Sequence, residues 1–207
     1  MTGPVVAFFD LDNTIVKGGS LYHLARGLRR HHFFKQGEFA RFLLKNLKFV
    51  VVGKEARGDT DWIRKMALSV TAGHSVEQIE TMANEICEQF IVPKVYPGTH
   101  ELAVSHLERG EEVWIVTASP RRVANILARQ LQFTGALGSE AEVADGVFTG
   151  RMLGPILHGK AKADAVRAWA AERDIDLSAC TAYSDSYNDL PLLETVGHPV
   201  VVNADRK

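Results

Sequence analysis

Two cysteines in 207 residues, Cys87 and Cys180, are too few for a disulfide framework, and they suit a reducing compartment. Seven prolines and 17 glycines are ordinary usage, which excludes a collagenous or low-complexity chain. No basic stretch leads into an apolar run at the N-terminus, because Asp10 interrupts the first such run. No uncharged run reaches the length of a membrane span either, since Lys45 and Lys48 break the apolar stretch near residues 42–52. The eight histidines are scattered apart from the neighbours His31 and His32, which argues against a zinc site. A soluble, cytoplasmic protein is the expectation.

What is present is a chain that is 46% hydrophobic and 24% charged, enough for one core domain carrying a modest insert. The formal net charge of -1 hides an uneven distribution. Residues 17–58 hold ten Lys and Arg against Glu38 and Glu55, a local charge of +8 that leaves -9 for the rest. Such asymmetry favours an anionic partner on one surface, or else marks a solvated helical face. No nucleic-acid recognition module accompanies the basic stretch, so a nucleic-acid partner is not expected.

Hydrophobic spacing divides the chain. Residues 5–9 read as a buried strand of a parallel sheet. Helical spacing follows: Ser20 is placed to cap a helix with Leu21, Leu24 and Leu28 on one face. Phe39, Phe42, Leu43, Leu47 and Val50 form a second helical stripe, and Thr60 opens a third helix. Ser75 with Gln78 makes a capping box before Ile79, Met82, Ala83 and Ile86. From Pro93 strands and helices alternate. A turn is expected at Pro97-Gly98, a helix capped by Thr99, strands at 112–116, 180–183 and 199–202, and helices at 121–131, 160–173 and 190–196. Asp145-Gly146 signals a hairpin within 143–153. The fold class is α/β, a parallel sheet covered on both faces, with a helical insert.

Four predicted strand ends carry the chemistry. The first holds Asp10 and Asp12, two carboxylates on one side of an extended backbone, where open α/β sheets bind ligands. Paired like charges are costly without a cation, and Mg²⁺ takes oxygen ligands of this kind. The second, Thr117-Ala118-Ser119, offers a hydroxyl and backbone N–H groups suited to phosphate. Lys160 or Lys162 supplies a third element, a cation to offset phosphate charge. The fourth, 184–189, brings Asp185 and Asp189 as a second acid pair. Acid pair, hydroxyl, lysine and acid pair in that order describe metal-assisted phosphoryl transfer.

On these segments the chain resembles the haloacid dehalogenase (HAD) superfamily phosphatases, in the branch similar to phosphoserine phosphatases. Asp10-Leu11-Asp12-Asn13-Thr14 matches the motif DxDx(T/V), Thr117 the strand-terminal hydroxyl, Lys162 the lysine with Lys160 as fallback, and Asp185 with Asp189 the acidic pair. The resemblance implies a Rossmann-like core of residues 1–16 and 93–207, and a helical cap of residues 17–92. It also implies a phosphomonoesterase acting on a small phosphorylated substrate. Asp10 would be the nucleophile and Asp12 the general acid and base. Thr14, Thr117, Ala118 and Lys162 would bind phosphate. Mg²⁺ would be held by Asp10, Asp12 through its main-chain carbonyl, and Asp185, with Asn188 and Asp189 in support. Asp12 disfavours dehalogenation, because the superfamily's dehalogenases lack that second acid.

The chain departs from the phosphoserine-specific pattern at Gly18-Gly19-Ser20, where a glutamate is expected; no acid follows Asp12 before Glu38. A different small phosphate ester is therefore preferred, with phosphoserine as the alternative and a phosphotransferase or a non-catalytic regulator on the same scaffold as further ones. Tyr22, His23, Arg26, Arg29, Arg30, His31 and His32 lie where a cap meets substrate. Phe33, Phe34, Phe39, Phe42 and Phe49 suit the cap's own core, or a surface-bound anionic substrate.

Overall fold

In the computed structural model the structure describes residues 3–30 and 71–204. The helices expected around 39–50 and from Thr60, together with His31, His32, Phe33, Phe34 and Phe49, lie outside the described residues.

β1 (Val6–Asp10) is buried at all five positions. The chain then passes through α1 (Ser20–Arg30) and later α2 (Val76–Ile86), which continues as a π turn (Cys87–Ile91) and a 3-10 turn (Val92–Lys94). α3 (Pro97–Glu108), β2 (Glu112–Pro120), α4 (Arg121–Gln130), β3 (Gly135–Ala144), β4 (Val147–Leu153), α5 (Lys160–Ala171), β5 (Thr181–Ser184), α6 (Leu190–Leu193) and β6 (His198–Val201) complete it. The sheet order is β4-β3-β2-β1-β5-β6. All neighbours are parallel except β3 and β4.

β1 at the centre shows why the sheet is covered twice. Ala7 and Phe9 join one apolar cluster with Ala103 of α3 and Ala124, Ile126, Leu127 and Ala128 of α4. Val6 and Phe8 join another with Val166 and Ala170 of α5 and Leu192 and Leu193 of α6. The two-residue period of a strand sends alternate side chains to opposite faces, so a continuous apolar run is needed when both are buried. A third cluster joins Leu28 of α1 and Ile79, Met82 and Ile86 of α2 to Phe148 of β4. Gly27 permits this approach, since a Cβ there would sit 2.5 Å from an Ile86 carbon.

The expected capping box is formed: Gln78 N–H donates to the Ser75 hydroxyl at 3.2 Å, and Ser75 N–H donates to the Gln78 side chain at 3.3 Å. Asp145 and Gly146 both take positive φ, 49° and 76°, as the two-residue hairpin requires. Two expectations need correction. Pro97-Gly98 is the first turn of α3, because proline at this position lacks only an N–H that the helix does not use, and Thr99 is buried within the helix instead of capping it. The hairpin's first strand starts earlier than residue 143, since Gly135–Leu137 already pairs with β2.

The segment after β1 and the segment before α3 run side by side. Lys17 N–H donates to the Lys94 carbonyl at 2.8 Å, and Tyr96 N–H to the Ile15 carbonyl at 2.8 Å. The chain thus leaves and returns to the sheet through one two-way connection, directly beside the C-terminal end of β1.

Candidate active site

Pairing register brings three of the four sequence segments together. Asp10 is opposite Val116 in β2, which places Thr117 one residue beyond it. Phe9 is opposite Tyr183 in β5, so Ser184 and Asp185 follow on the other side. The loop after β1 closes tightly: the Leu11 carbonyl accepts the N–H groups of Ile15 at 3.0 Å and Val16 at 2.9 Å, and Asn13 takes φ 57°. Asparagine tolerates that left-handed conformation better than most residues.

This curl turns Thr14 back towards the carboxylates. Its hydroxyl lies 3.2 Å from Asp10 Oδ2 and 3.2 Å from Asp185 Oδ1, and it accepts the Asp185 N–H at 3.0 Å. On the other side, Lys162 Nζ donates to Asp10 Oδ1 at 2.5 Å and to Asp189 Oδ2 at 2.7 Å. Asp189 also accepts the Ser184 hydroxyl at 2.9 Å. Asp10, Lys162 and Asp189 are all buried, at 5%, 4% and 2% exposure, so the ammonium has no water to replace its carboxylate partners. Lys160 points elsewhere and pairs with Asp164 at 2.6 Å on the exposed face of α5. The lysine that meets Asp10 is therefore Lys162: two residues along a helix turn the side chain by more than half a revolution.

Burial pushes Asp10 up to about 7; Lys162 opposes this rise, while Asp189 and Asp12 add to it. Burial would lower the Lys162 ammonium, but Asp10 and Asp189 outweigh it and raise Lys162 above the ordinary lysine value. Burial likewise raises Asp12, and hydrogen bonds from Ser20 work against that rise. Two carboxylates, Asp10 and Asp189, thus share one buried ammonium, and the Thr14 hydroxyl links Asp10 to Asp185.

Thr117 is buried, and its hydroxyl oxygen accepts the Ser119 N–H at 3.1 Å. Ala118 is exposed at the rim, and its carbonyl accepts the Ser139 hydroxyl at 2.8 Å. Gly138 lets β3 close on the end of β2, because a Cβ there would meet the Ser119 carbonyl at 2.7 Å. Asn188 is exposed, and its N–H donates to the Ser186 hydroxyl at 3.2 Å.

Three residues that sequence reasoning gave no part in this site hold it together. Ser184 braces Asp189. Asn203 donates from Nδ2 to the carbonyls of Asn13 at 2.9 Å and Thr14 at 3.2 Å, clamping the first loop from beyond β6. Ser20, expected as a cap, donates its N–H to Asp12 Oδ1 at 2.7 Å. The asparagine carries no local signal, and the two serines carry only that of ordinary strand-end and cap residues.

Among the described residues no three His, Cys, Asp or Glu side chains form a metal cage. The loops instead offer two carboxylates, Asp10 and Asp185, converging on the Thr14 hydroxyl. That oxygen-only set, carrying more negative charge than Lys162 offsets, fits Mg²⁺, which keeps several of its waters.

The family model described as HAD, haloacid dehalogenase-like hydrolase, matches residues 7–194. The chain belongs to this family. It is 46% identical over 201 residues to the phosphoserine phosphatase SerB1 of Mycobacterium tuberculosis, covering 97% of this chain and 65% of that protein. The chain therefore spans just under two thirds of that relative's length. A histidinol-phosphatase of Neisseria meningitidis is 29% identical over 206 residues, covering 97% of this chain and 90% of that one. Among solved structures, a protein of unknown function from Bordetella pertussis Tohama I superposes with a TM-score of 0.82 at 27% identity, covering 99% of this chain and 92% of that one. No helix among the described residues is long and apolar enough to cross a membrane.

Proposed function

We propose that this chain is a Mg²⁺-dependent phosphomonoesterase that hydrolyses a small phosphate ester through a phosphorylated Asp10. The observation that carries the reading is the buried Asp10–Lys162–Asp189 array beside the Asp10–Thr14–Asp185 cluster at the strand ends. Asp10 attacks phosphorus, and the bond to the leaving oxygen breaks as Asp12 gives that oxygen its proton. Asp12, now a carboxylate, takes a proton from the water that attacks the phosphorylated Asp10, releasing inorganic phosphate and restoring both acids. Lys162, held by Asp189, offsets charge on the phosphoryl oxygens, and Thr117, Ala118 and Thr14 complete the phosphate cradle. Mg²⁺ would be held by Asp10, Asp185 and the Asp12 carbonyl, and would supply positive charge to offset that of the phosphate. Asn188 shapes the loop that carries Asp185.

Residues 17–92 serve as the cap in this reading, with core residues 1–16 and 93–207 beneath. The paired connection at Lys17 and Lys94 supports an insert that leaves and rejoins the core at one place. Relatives named for a substrate include phosphoserine and histidinol phosphatases, which supports a small alkyl phosphate here. Phosphoserine itself is the second reading: the 46% identical relative favours it, while Gly18-Gly19-Ser20 lacks an acid for the substrate's ammonium. Phosphate release from a panel of alkyl phosphates that includes phosphoserine and histidinol phosphate tests both. A preference for phosphoserine over all others establishes the second reading, and no release from any ester with Mg²⁺ present refutes both.

A further inference from the structure

Ser20 is the first residue of α1, yet its hydrogen bonds run outward from the helix. Its N–H donates to Asp12 Oδ1 at 2.7 Å, and its hydroxyl meets that of Ser119 at 2.8 Å. With 3% exposure, Ser20 makes these contacts out of reach of water. It therefore ties together the loop after β1, the end of β2 and the start of α1.

The geometry explains why this residue matters to Asp12 more than to α1. Asp12 stands on the loop beyond the end of β1, where an isolated bridge to Val16 holds its backbone but does not orient its carboxyl. The N–H groups of a helix's first turn have no partner inside the helix, so donating one to Asp12 takes nothing from α1. The positive end of the helix also lies against this carboxylate. A reacting group displaced by about 1 Å loses on the order of 10²-fold in rate, so an unbraced loop carboxyl is a poor proton donor.

We propose that Ser20 is a positioning residue for Asp12, its N–H holding the carboxyl where it gives a proton to the leaving oxygen and takes one from the attacking water, and its hydroxyl anchoring that N–H through Ser119. The inference rests on the phosphomonoesterase reading, in which Asp12 performs that transfer. It has a specific consequence. Loss of Ser20's contacts slows esters whose leaving group needs a proton and spares esters whose leaving group departs without one. A merely structural role slows both alike.

The test compares phenyl phosphate with p-nitrophenyl phosphate, two esters of similar size whose leaving groups differ in basicity, using kcat/KM with Mg²⁺ for the full chain. Ser20→Ala removes the hydroxyl. Ser20→Pro also removes the N–H, and proline is well tolerated at the first position of a helix. Asp12→Asn serves as the reference. The expected result is a phenyl-to-nitrophenyl ratio that falls by about threefold in Ser20→Ala and by about tenfold in Ser20→Pro, with a larger collapse in Asp12→Asn. An unchanged ratio in both Ser20 variants, with Asp12→Asn collapsing as expected, overturns the inference and leaves the phosphatase reading intact. If Ser20→Pro does not fold, an unchanged ratio in Ser20→Ala alone overturns it. If Asp12→Asn leaves the ratio unchanged, the role given to Asp12 fails, and the inference falls with it.

Discussion

Asp10→Asn should stabilise the metal-free protein at alkaline pH while removing its activity. Asp10 is pushed from an ordinary 3.8 to about 7, burial being the largest cause. A group whose folded value is raised contributes stability that is complete below 3.8 and is lost as pH rises through about 7. At about 1.4 kcal/mol per pKa unit, ionising Asp10 in the folded protein costs up to about 4 kcal/mol more than in the unfolded chain. If relaxation of the loops absorbs half, about 2 kcal/mol remains, or about 6 °C in Tm for a chain of this size. Asparagine keeps the shape: its oxygen faces Lys162 and its amide faces the Thr14 hydroxyl, while Asp189 still pairs with Lys162. Thermal unfolding in EDTA at several pH values provides the assay. The variant should melt above wild type at about pH 8, and the difference should vanish towards about pH 4. Mg²⁺ should raise the wild-type Tm and leave the variant nearly unmoved. A variant that melts lower than wild type at pH 8 without metal would refute the reasoning, because it would mean the carboxylate is stabilised, not strained, by its surroundings.

Other expectations follow from the same contacts. Lys162→Met leaves Asp10 and Asp189 buried without their cation, and should cost about 3 kcal/mol in urea unfolding at pH 8 in EDTA; Lys160→Met, on the exposed face, should cost almost nothing. Burial pushes the Cys87 thiol up to about 12, so Ellman's reagent should label it at neutral pH only after denaturation. The Arg109 hydrogen bond, joined by His106, holds Glu111 below the ordinary carboxylate value despite burial. Its contribution to stability is present at neutral pH and lost as pH falls through that lowered value. Glu111→Gln should therefore lower Tm at neutral pH and converge with wild type in acid.

The strand ends were legible in the sequence because burial on both faces demands unbroken apolar runs, and a carboxylate can only end one. Phe8-Phe9-Asp10 is such a case, and so is Ala182-Tyr183 running into Ser184 and Asp185. The start of β3 was not legible: Gly135-Ala136-Leu137-Gly138 has neither β-branched residues nor alternation, and it pairs because β2 lies beside it. Gly138 is there for close approach to Ser119, a need that only the fold creates. Lysine spacing favoured Lys162 while keeping Lys160 open, and the turn of α5 separates them in space. The part played by Asn203 had no sequence signal, because it acts on a loop at the other end of the chain, and Ser20 carried only the signal of a helix cap.

Phosphate release from p-nitrophenyl phosphate by wild type and Asp10→Asn, each with Mg²⁺ and with EDTA, tests the central claim most directly. Wild type with Mg²⁺ should turn over, EDTA should abolish turnover reversibly, and Asp10→Asn should lose at least about 10³-fold, as expected when the nucleophile itself is removed. Near-normal turnover by Asp10→Asn would contradict the account.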